Sequence, residues 1–488
     1  MERITLHTRS GAVCGTVRKN TWLFRGIPYA APPVGALRFR HAQPHPGWEG
    51  VLDASNYGKW CPQNGTSGWF ADEDCLTLNI WTPQGGAKKK AVLFYVPGGS
   101  FCRGSGAESR YEGTRLAREG DVVVVTINYR LGALGCLDFS FLGEEFEPNC
   151  GMSDIVAALR WVYENIEAFG GDPHNITAIG QSAGANAVSA LITMPSAKPY
   201  IAKAIMMSGC PVWMHTRQEA QNVAQRFLEY AGIDNARELK DASARRLVRG
   251  QKGFMRRSGQ SEYTFTIVID GALVPDFPIP SAANGAAGEI PLLIGNTRDE
   301  MSFVCSKILS FFIPIKEIAL SILSREPKEL KDKILDGYRK YGARREARFV
   351  TDQAFRLSSD WFAQGMAQRS NVWAYSFEYA TAIMKMTRLG ACHSSDIPYL
   401  FGTYGALSSI FMFCLPARRV IRRIAAEMRS DFTGFAKRGY LSWEKCSGNA
   451  VPAKCYDRKT SIRSLIDDGI KLVYDKSRFK KQSFRSVY

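Results

Sequence analysis

Hydrophobic and polar residues alternate in short stretches at the start of the chain. Positions 4–8, 12–18 and 21–25 read as strands, broken at Gly11 and followed by a Pro-rich loop at 29–35. From residue 91 the rhythm changes, because 91–96 and 122–128 are unbroken aliphatic and β-branched runs of the kind buried on both faces of a parallel sheet. Between 153 and 169, Ile155, Val156, Leu159, Val162 and Ile166 recur at helical spacing, which predicts a helix capped by Ser153 and Asp154. A strand at 176–179 leading into a helix from Ala183 is expected next, with further strands at 201–207, 291–294 and 372–379. Strands alternating with helices predict an α/β protein with a mostly parallel central sheet and helices on both faces. Ligands of such sheets sit outside the carboxyl ends of the strands.

This pattern predicts a single domain over residues 1–488. It has an N-terminal strand region at about 1–90, helical capping insertions at about 214–252 and 302–345, and a basic C-terminal segment at about 441–488. A composition of 45% hydrophobic and 22% charged residues excludes a disordered, fibrous or collagen-like chain. No apolar stretch approaches the roughly 18 residues of a membrane span, and no apolar core follows Met1, so a soluble protein of the cytoplasm is expected. The 12 cysteines are too dilute for a disulfide scaffold, and the absence of Cys-x-x-Cys and His-Glu-x-x-His excludes the usual zinc spacings.

A net charge of +17 raises the question of a polyanion partner. Residues 417–488 hold 18 Lys and Arg against 7 Asp and Glu, so most of the excess sits at Arg418, Arg419, Arg422, Arg423 and in the tail. No nucleic-acid-binding motif accompanies it, and a solvated basic face is the expectation rather than a nucleic-acid site.

The chemistry is concentrated at Gly180-Gln181-Ser182-Ala183-Gly184, which lies directly between an expected strand and an expected helix. A serine on so sharp a turn presents its Oγ, and flanking glycines let neighbouring elements pass closely; this is a nucleophile elbow. A nucleophile that attacks a carbonyl needs an oxyanion site. Pro97-Gly98-Gly99-Ser100-Phe101, immediately after the strand at 91–96, is a glycine-rich loop of the right kind, and the N–H of Ala183 completes the set.

These residues resemble the type-B carboxylesterase family, which includes the cholinesterases and the bacterial para-nitrobenzyl-esterase type. Further matches to it are Phe24-Arg25-Gly26-Ile27-Pro28-Tyr29-Ala30, Glu73-Asp74-Cys75-Leu76-Thr77-Leu78-Asn79, Asn128-Tyr129-Arg130-Leu131-Gly132 and Phe169-Gly170-Gly171-Asp172-Pro173. The likeness runs from about residue 10 to about residue 440. It implies an α/β-hydrolase fold and a catalytic triad of Ser182, Glu300 and His393. Glu300 matches through Gly295-Asn296-Thr297-Arg298-Asp299-Glu300, and His393 through the segment His393 to Gly402. The chain order Ser, acid, His agrees with that fold. The implied oxyanion hole is formed by the N–H groups of Gly99, Ser100 and Ala183, and Cys61 and Cys75 resemble the family's first disulfide pair, with two reduced thiols as the alternative.

Four departures from the family pattern stand out. Pro97 replaces a frequent His or Tyr, and Gln181 replaces a glutamate found in cholinesterases, which argues against a cationic choline substrate. Met301 replaces a glycine and Asp396 replaces a glutamate. The expected activity is hydrolysis of neutral, fairly hydrophobic carboxylic esters through an acyl-enzyme, with no metal or organic cofactor and a small-molecule ester as the only partner. Oligomeric state stays open. Amides, carbamates and lipids are alternative substrates for the same triad, and a non-catalytic interaction protein is the alternative from another class. The apolar stretches at 311–315 and 410–413 are candidates to line the route to Ser182. Cys102, Cys305 and Cys392 neighbour the catalytic elements in sequence.

Overall fold

The β-branched runs read from the sequence form the middle of a sheet. The computed structural model describes residues 2–66, 69–84, 89–257, 264–302, 328–404, 418–467 and 470–471. It divides into two compact units, Met1–Ala204 with Trp213–Asp276, and Ile205–Val212 with Phe277–Tyr488.

The first unit contains β1 (Arg3–Thr8), β2 (Gly11–Arg18), β3 (Thr21–Pro28), β4 (Val51–Asp53), β5 (Thr77–Pro83), β6 (Lys90–Val96), β7 (Val123–Ile127) and β8 (Gly171–Gln181). The strand β9 (Lys203–Met207) begins in it, and the short β10 (Met214–Thr216) and β11 (Ile267–Ile269) pair with each other. Side by side the order is β1-β2-β3-β5-β7-β6-β8, with β4 beside β2. The succession from β1 to β7 is antiparallel, whereas β6 is parallel to both β7 and β8. Every residue of β6 and β7 is buried, and each such Val, Leu or Phe contributes roughly 1.5–3 kcal/mol of burial. Register has a functional consequence. Val96 at the end of β6 lies opposite Gly180 of β8, so the loop after β6 and the turn after β8 leave the sheet at the same edge.

The helix expected over 153–169 starts earlier, spanning Cys150–Asn165, and ends in a 3-10 turn at Ile166–Phe169. Asp154 does not cap it. Its carboxylate is fully buried and occupied by Arg130, whose Nη2, Nε and backbone N–H donate to it at 2.6, 2.8 and 2.9 Å. Removing either partner would strand a buried charge, so this pair fixes the chain after β7 against the helix. The insertion expected at 214–252 begins as β10 and becomes helical over Arg217–Ala231, Ala236–Asp241 and Ala244–Arg257, the first opened by a capping box between Thr216 and Glu219.

The second unit takes the end of β9 and adds β12 (Leu292–Thr297), β13 (Val372–Phe377), β14 (Pro452–Tyr456) and β15 (Ser461–Ser464). The strands β12, β13 and β14 are mutually parallel and β15 closes the edge antiparallel. Thus the segment from 441, read for its charge alone, also contributes two strands, with Ala453, Cys455 and Tyr456 buried. Helices Leu357–Ala367 and Arg418–Arg438 belong to this unit, the former preceded by a π-helical turn at Asp352–Arg356. Of the insertion expected at 302–345, the helix Lys328–Gly337 and the 3-10 segment Arg339–Arg344 are seen. Cys305, the stretches at 311–315 and 410–413 and the tail beyond residue 471 lie outside the described residues. Among the described residues no helix is long and apolar enough to cross a membrane.

Candidate active site

Ser182 stands between β8 and the helix Ala183–Leu191 with φ 56° and ψ −124°. A non-glycine residue in that region costs about 1–3 kcal/mol, tolerated because strand and helix are buried on either side. The two elbow glycines are there for clearance. A Cβ at Gly180 would strike the Gly184 carbonyl, and one at Gly184 would strike the carbonyl of Val96. Only bare backbone lets β6, β8 and the helix cross so closely that Oγ is pushed out of the turn.

The loop after β6 lies against this turn. A Cβ at Gly98 would sit 3.1 Å from Ser182 Cβ and clash with the Gln181 carbonyl. Gly99, with φ 128°, turns the chain, and Ser100 and Phe101 follow at φ 55° and 53°, a left-handed pair that neither side chain favours. Hydrogen bonds hold this shape. The Gly99 carbonyl accepts from the N–H groups of Cys102 and Arg103 at 3.1 and 3.0 Å, the Phe101 carbonyl from Gly132 N–H at 2.7 Å, and the Pro97 carbonyl from Tyr129 Oη at 2.9 Å. With its carbonyls tied back, the loop leaves the Gly99 N–H without an acceptor among the described residues. The Ala183 N–H, first in its helix, has none either, and it carries the positive end of the helix dipole. Such donors suit an oxygen on which negative charge develops.

In the second unit Glu300, the acid expected from the sequence, lies just beyond the end of β12. Glu300 is completely buried; its Oε1 accepts the Thr297 N–H at 2.6 Å and its Oε2 accepts from His393 Nδ1 at 2.5 Å. The loops that carry them are stitched together by backbone bonds, Asp299 N–H to the Ala391 carbonyl at 2.9 Å and His393 N–H to the Glu300 carbonyl at 3.2 Å. A carboxylate that accepts a hydrogen bond from Nδ1–H keeps the proton on that nitrogen and leaves the imidazole lone pair on Nε2. The ring of Phe355, in the π-helical turn, packs on the His393 ring at a centroid distance of 5.1 Å. Ser182, Ala183, Gly99 and Ser100 are therefore grouped in the first unit, and Glu300 and His393 are paired in the second.

Asp396, three residues beyond His393, is fully buried, and Tyr375 Oη donates to its Oδ2 at 3.1 Å while Oδ1 has no hydrogen-bond partner among the described residues. Desolvation first, and the nearby Glu300 charge second, push its carboxyl up to about 7. It bonds Tyr375 rather than the imidazole, which distinguishes it from Glu300. Cys102 and Cys392 are buried, and burial raises the Cys392 thiol to about 12. The sulfurs of Cys61 and Cys75 are placed as a disulfide with Cα atoms 5.1 Å apart. Among the described residues no cluster of His, Cys, Asp or Glu is placed to hold a metal ion.

Sequence reasoning missed Phe355, Tyr129, Tyr375 and the Thr297 N–H as parts of the site. Tyr129 lies inside a family signature; Phe355 carries no local signal, since only the fold brings it to His393.

The chain matches the model of the carboxylesterase family over residues 2–454. It is similar to the para-nitrobenzyl esterase of Bacillus subtilis (strain 168), 34% identical over 494 positions that cover 97% of each chain. It is also similar to the phenmedipham hydrolase of Pseudarthrobacter oxydans, 36% identical over 417 positions, 81% of this chain and 82% of that one. Among solved structures, a thermophilic PNB esterase superimposes with a TM-score of 0.87 at 32% identity, covering 96% of this chain and 99% of that chain. A Geobacillus stearothermophilus carboxylesterase does so with a TM-score of 0.86 at 31% identity and the same coverage. The chain thus has the α/β-hydrolase fold, belongs to the carboxylesterase family, and is a carboxylic ester hydrolase.

Proposed function

We propose that the reaction runs through an acyl-enzyme on Ser182, with His393 as base and Glu300 as the acid of the triad. The Ser182 Oγ forms a bond to the ester carbonyl carbon as its proton passes to His393 Nε2. The carbonyl oxygen becomes an oxyanion, held by the N–H groups of Gly99, Ser100 and Ala183. Its collapse breaks the bond to the alkoxy oxygen, which leaves as the alcohol with the proton from His393. Water then repeats the sequence against the acyl carbon and returns Ser182. The observation that carries this reading is the His393–Glu300 pair. A fully buried carboxylate with one oxygen fixed by a backbone N–H and the other on Nδ1 orients the ring and stabilises its cation during transfer.

Neutral, fairly hydrophobic esters are the proposed substrates. Beside Ser182 stands Gln181, buried and uncharged, so no carboxylate there favours a quaternary ammonium group. A series of p-nitrophenyl esters from acetate to octanoate, one anilide and butyrylcholine tests this. Each methylene buried in an apolar acyl site is worth about 0.8 kcal/mol, so kcat/KM should climb with chain length until the site is filled. Preference for butyrylcholine over p-nitrophenyl butyrate, or for the anilide over the esters, would reject the assignment.

A further inference from the structure

Alongside the acid loop the second unit has a cavity of about 540 Å³ that no step of the hydrolysis uses. Four arginines line it: Arg298 from the loop after β12, Arg344 at the N-cap and Arg348 in the last turn of the helix Arg345–Thr351, and Arg388 from the loop leading to His393. Asp299 is the one carboxylate among the described lining residues. Arg298 Nε donates to Asp299 at 3.0 Å. Arg348 Nε donates to Asp352 at 3.1 Å and its Nη1 to the Arg298 carbonyl at 2.8 Å, while its guanidinium lies 5.3 Å from the centre of the Tyr341 ring. The side chains of Arg344 and Arg388 make no hydrogen bond or ion pair with any described residue. Two carboxylates therefore stand against four guanidinium groups, two of which belong to the exposed lining residues Arg344 and Arg388.

We propose that this cavity is a binding site for a small organic polyanion carrying two or more phosphate or carboxylate groups. Guanidinium forks match both groups in bidentate geometry, and the volume falls within the roughly 300–1,000 Å³ of ordinary small-molecule sites. The walls give the site a consequence. Asp299 ties the acid loop to the histidine loop, accepting the Ala391 N–H at 3.0 Å on its side chain and donating its own N–H to the Ala391 carbonyl at 2.9 Å. An anion held jointly by Arg298 and Arg388 would clamp the same two loops from the cavity side. The bound polyanion stabilises the second unit.

The test is isothermal titration and thermal melting of the full chain with inorganic pyrophosphate and, separately, citrate, against sodium chloride at matched ionic strength. Saturable binding and a raised midpoint with either anion support the site, pyrophosphate alone marking a phosphate ligand and citrate alone a polycarboxylate. R344Q/R388Q should weaken binding by about a hundredfold, and R388Q alone by about tenfold, since one charged hydrogen-bonding partner is worth roughly a factor of ten. Hydrolysis of p-nitrophenyl butyrate without added anion should be unchanged in R388Q. Ser182→Ala should bind as the wild type does, so failure of this site and failure of the triad are separable. Equal binding by R388Q and wild type, or no response to either anion beyond that to sodium chloride, overturns the proposal.

Discussion

Replacing Asp396 by Asn removes a buried carboxyl without changing its shape, and its effect on stability should depend on pH in a defined direction. The side chain is fully buried, accepts a hydrogen bond from Tyr375 and lies within the field of Glu300, so its pKa in the folded protein is raised from 3.8 to about 7. Between these two values the folded protein holds a proton that the unfolded chain has released, and stability falls as pH rises, by about 1.4 kcal/mol per unit. Above the folded value the slope vanishes and the full cost of burying the anion is present. From pH 5 to pH 8 wild type should therefore lose roughly 2.5 kcal/mol relative to Asp396→Asn. Urea unfolding followed by tryptophan fluorescence at pH 5, 6, 7 and 8, read as the difference between the two proteins, cancels every group they share. A difference that stays flat with pH, or that favours wild type at pH 8, would show that Asp396 is not a buried carboxyl with a raised pKa. Ester hydrolysis should survive the substitution, because Asp396 does not bond His393.

Glu300→Gln should be the opposite case. An amide N–H facing His393 Nδ1 forces the other tautomer, and kcat should drop by about 10⁴ with the fold intact by circular dichroism; a loss under tenfold would remove Glu300 from its role. In Gly98→Ala the new methyl meets the Gln181 carbonyl and Ser182 Cβ, so the oxyanion loop must shift and kcat should fall by about 10²–10³ with a smaller change in KM. Cys102 and Cys392 should resist a bulky maleimide in the native protein, as read by intact mass, since both are buried and the Cys392 thiol is raised to about 12.

Much of the fold and of the proposed site is legible in the sequence where the governing physics is local. The elbow needs a strand, a strained serine and a helix in consecutive residues, so Gly180 to Gly184 announces itself. The fully buried β6 and β7 leave uninterrupted aliphatic runs for the same reason. The sequence pattern does not predict β5, because Thr77, Asn79 and Thr82 break its hydrophobic positions; Asn79 and Thr82 are nonetheless buried, and Asn79 reaches Thr126 at 3.1 Å. Asp154 looked like a helix cap and is a buried ion-pair partner, a distinction made by Arg130 on another element. β14 was hidden by Pro452 and Lys454 in a stretch dominated by charge. Phe355 and the arginines of the cavity come together only through tertiary packing, and no spacing rule reaches from 298 to 388.

If Ser182 is the nucleophile, it carries the acyl group during turnover. Mixing the enzyme with p-nitrophenyl butyrate, quenching in acid within milliseconds and mapping the peptides by mass measures this directly. One butyryl group is expected, on the peptide containing Ser182, forming with the burst of nitrophenol and absent from Ser182→Ala, whose turnover should fall by about 10⁶. A butyryl group on another residue, or undiminished hydrolysis by Ser182→Ala, would contradict it.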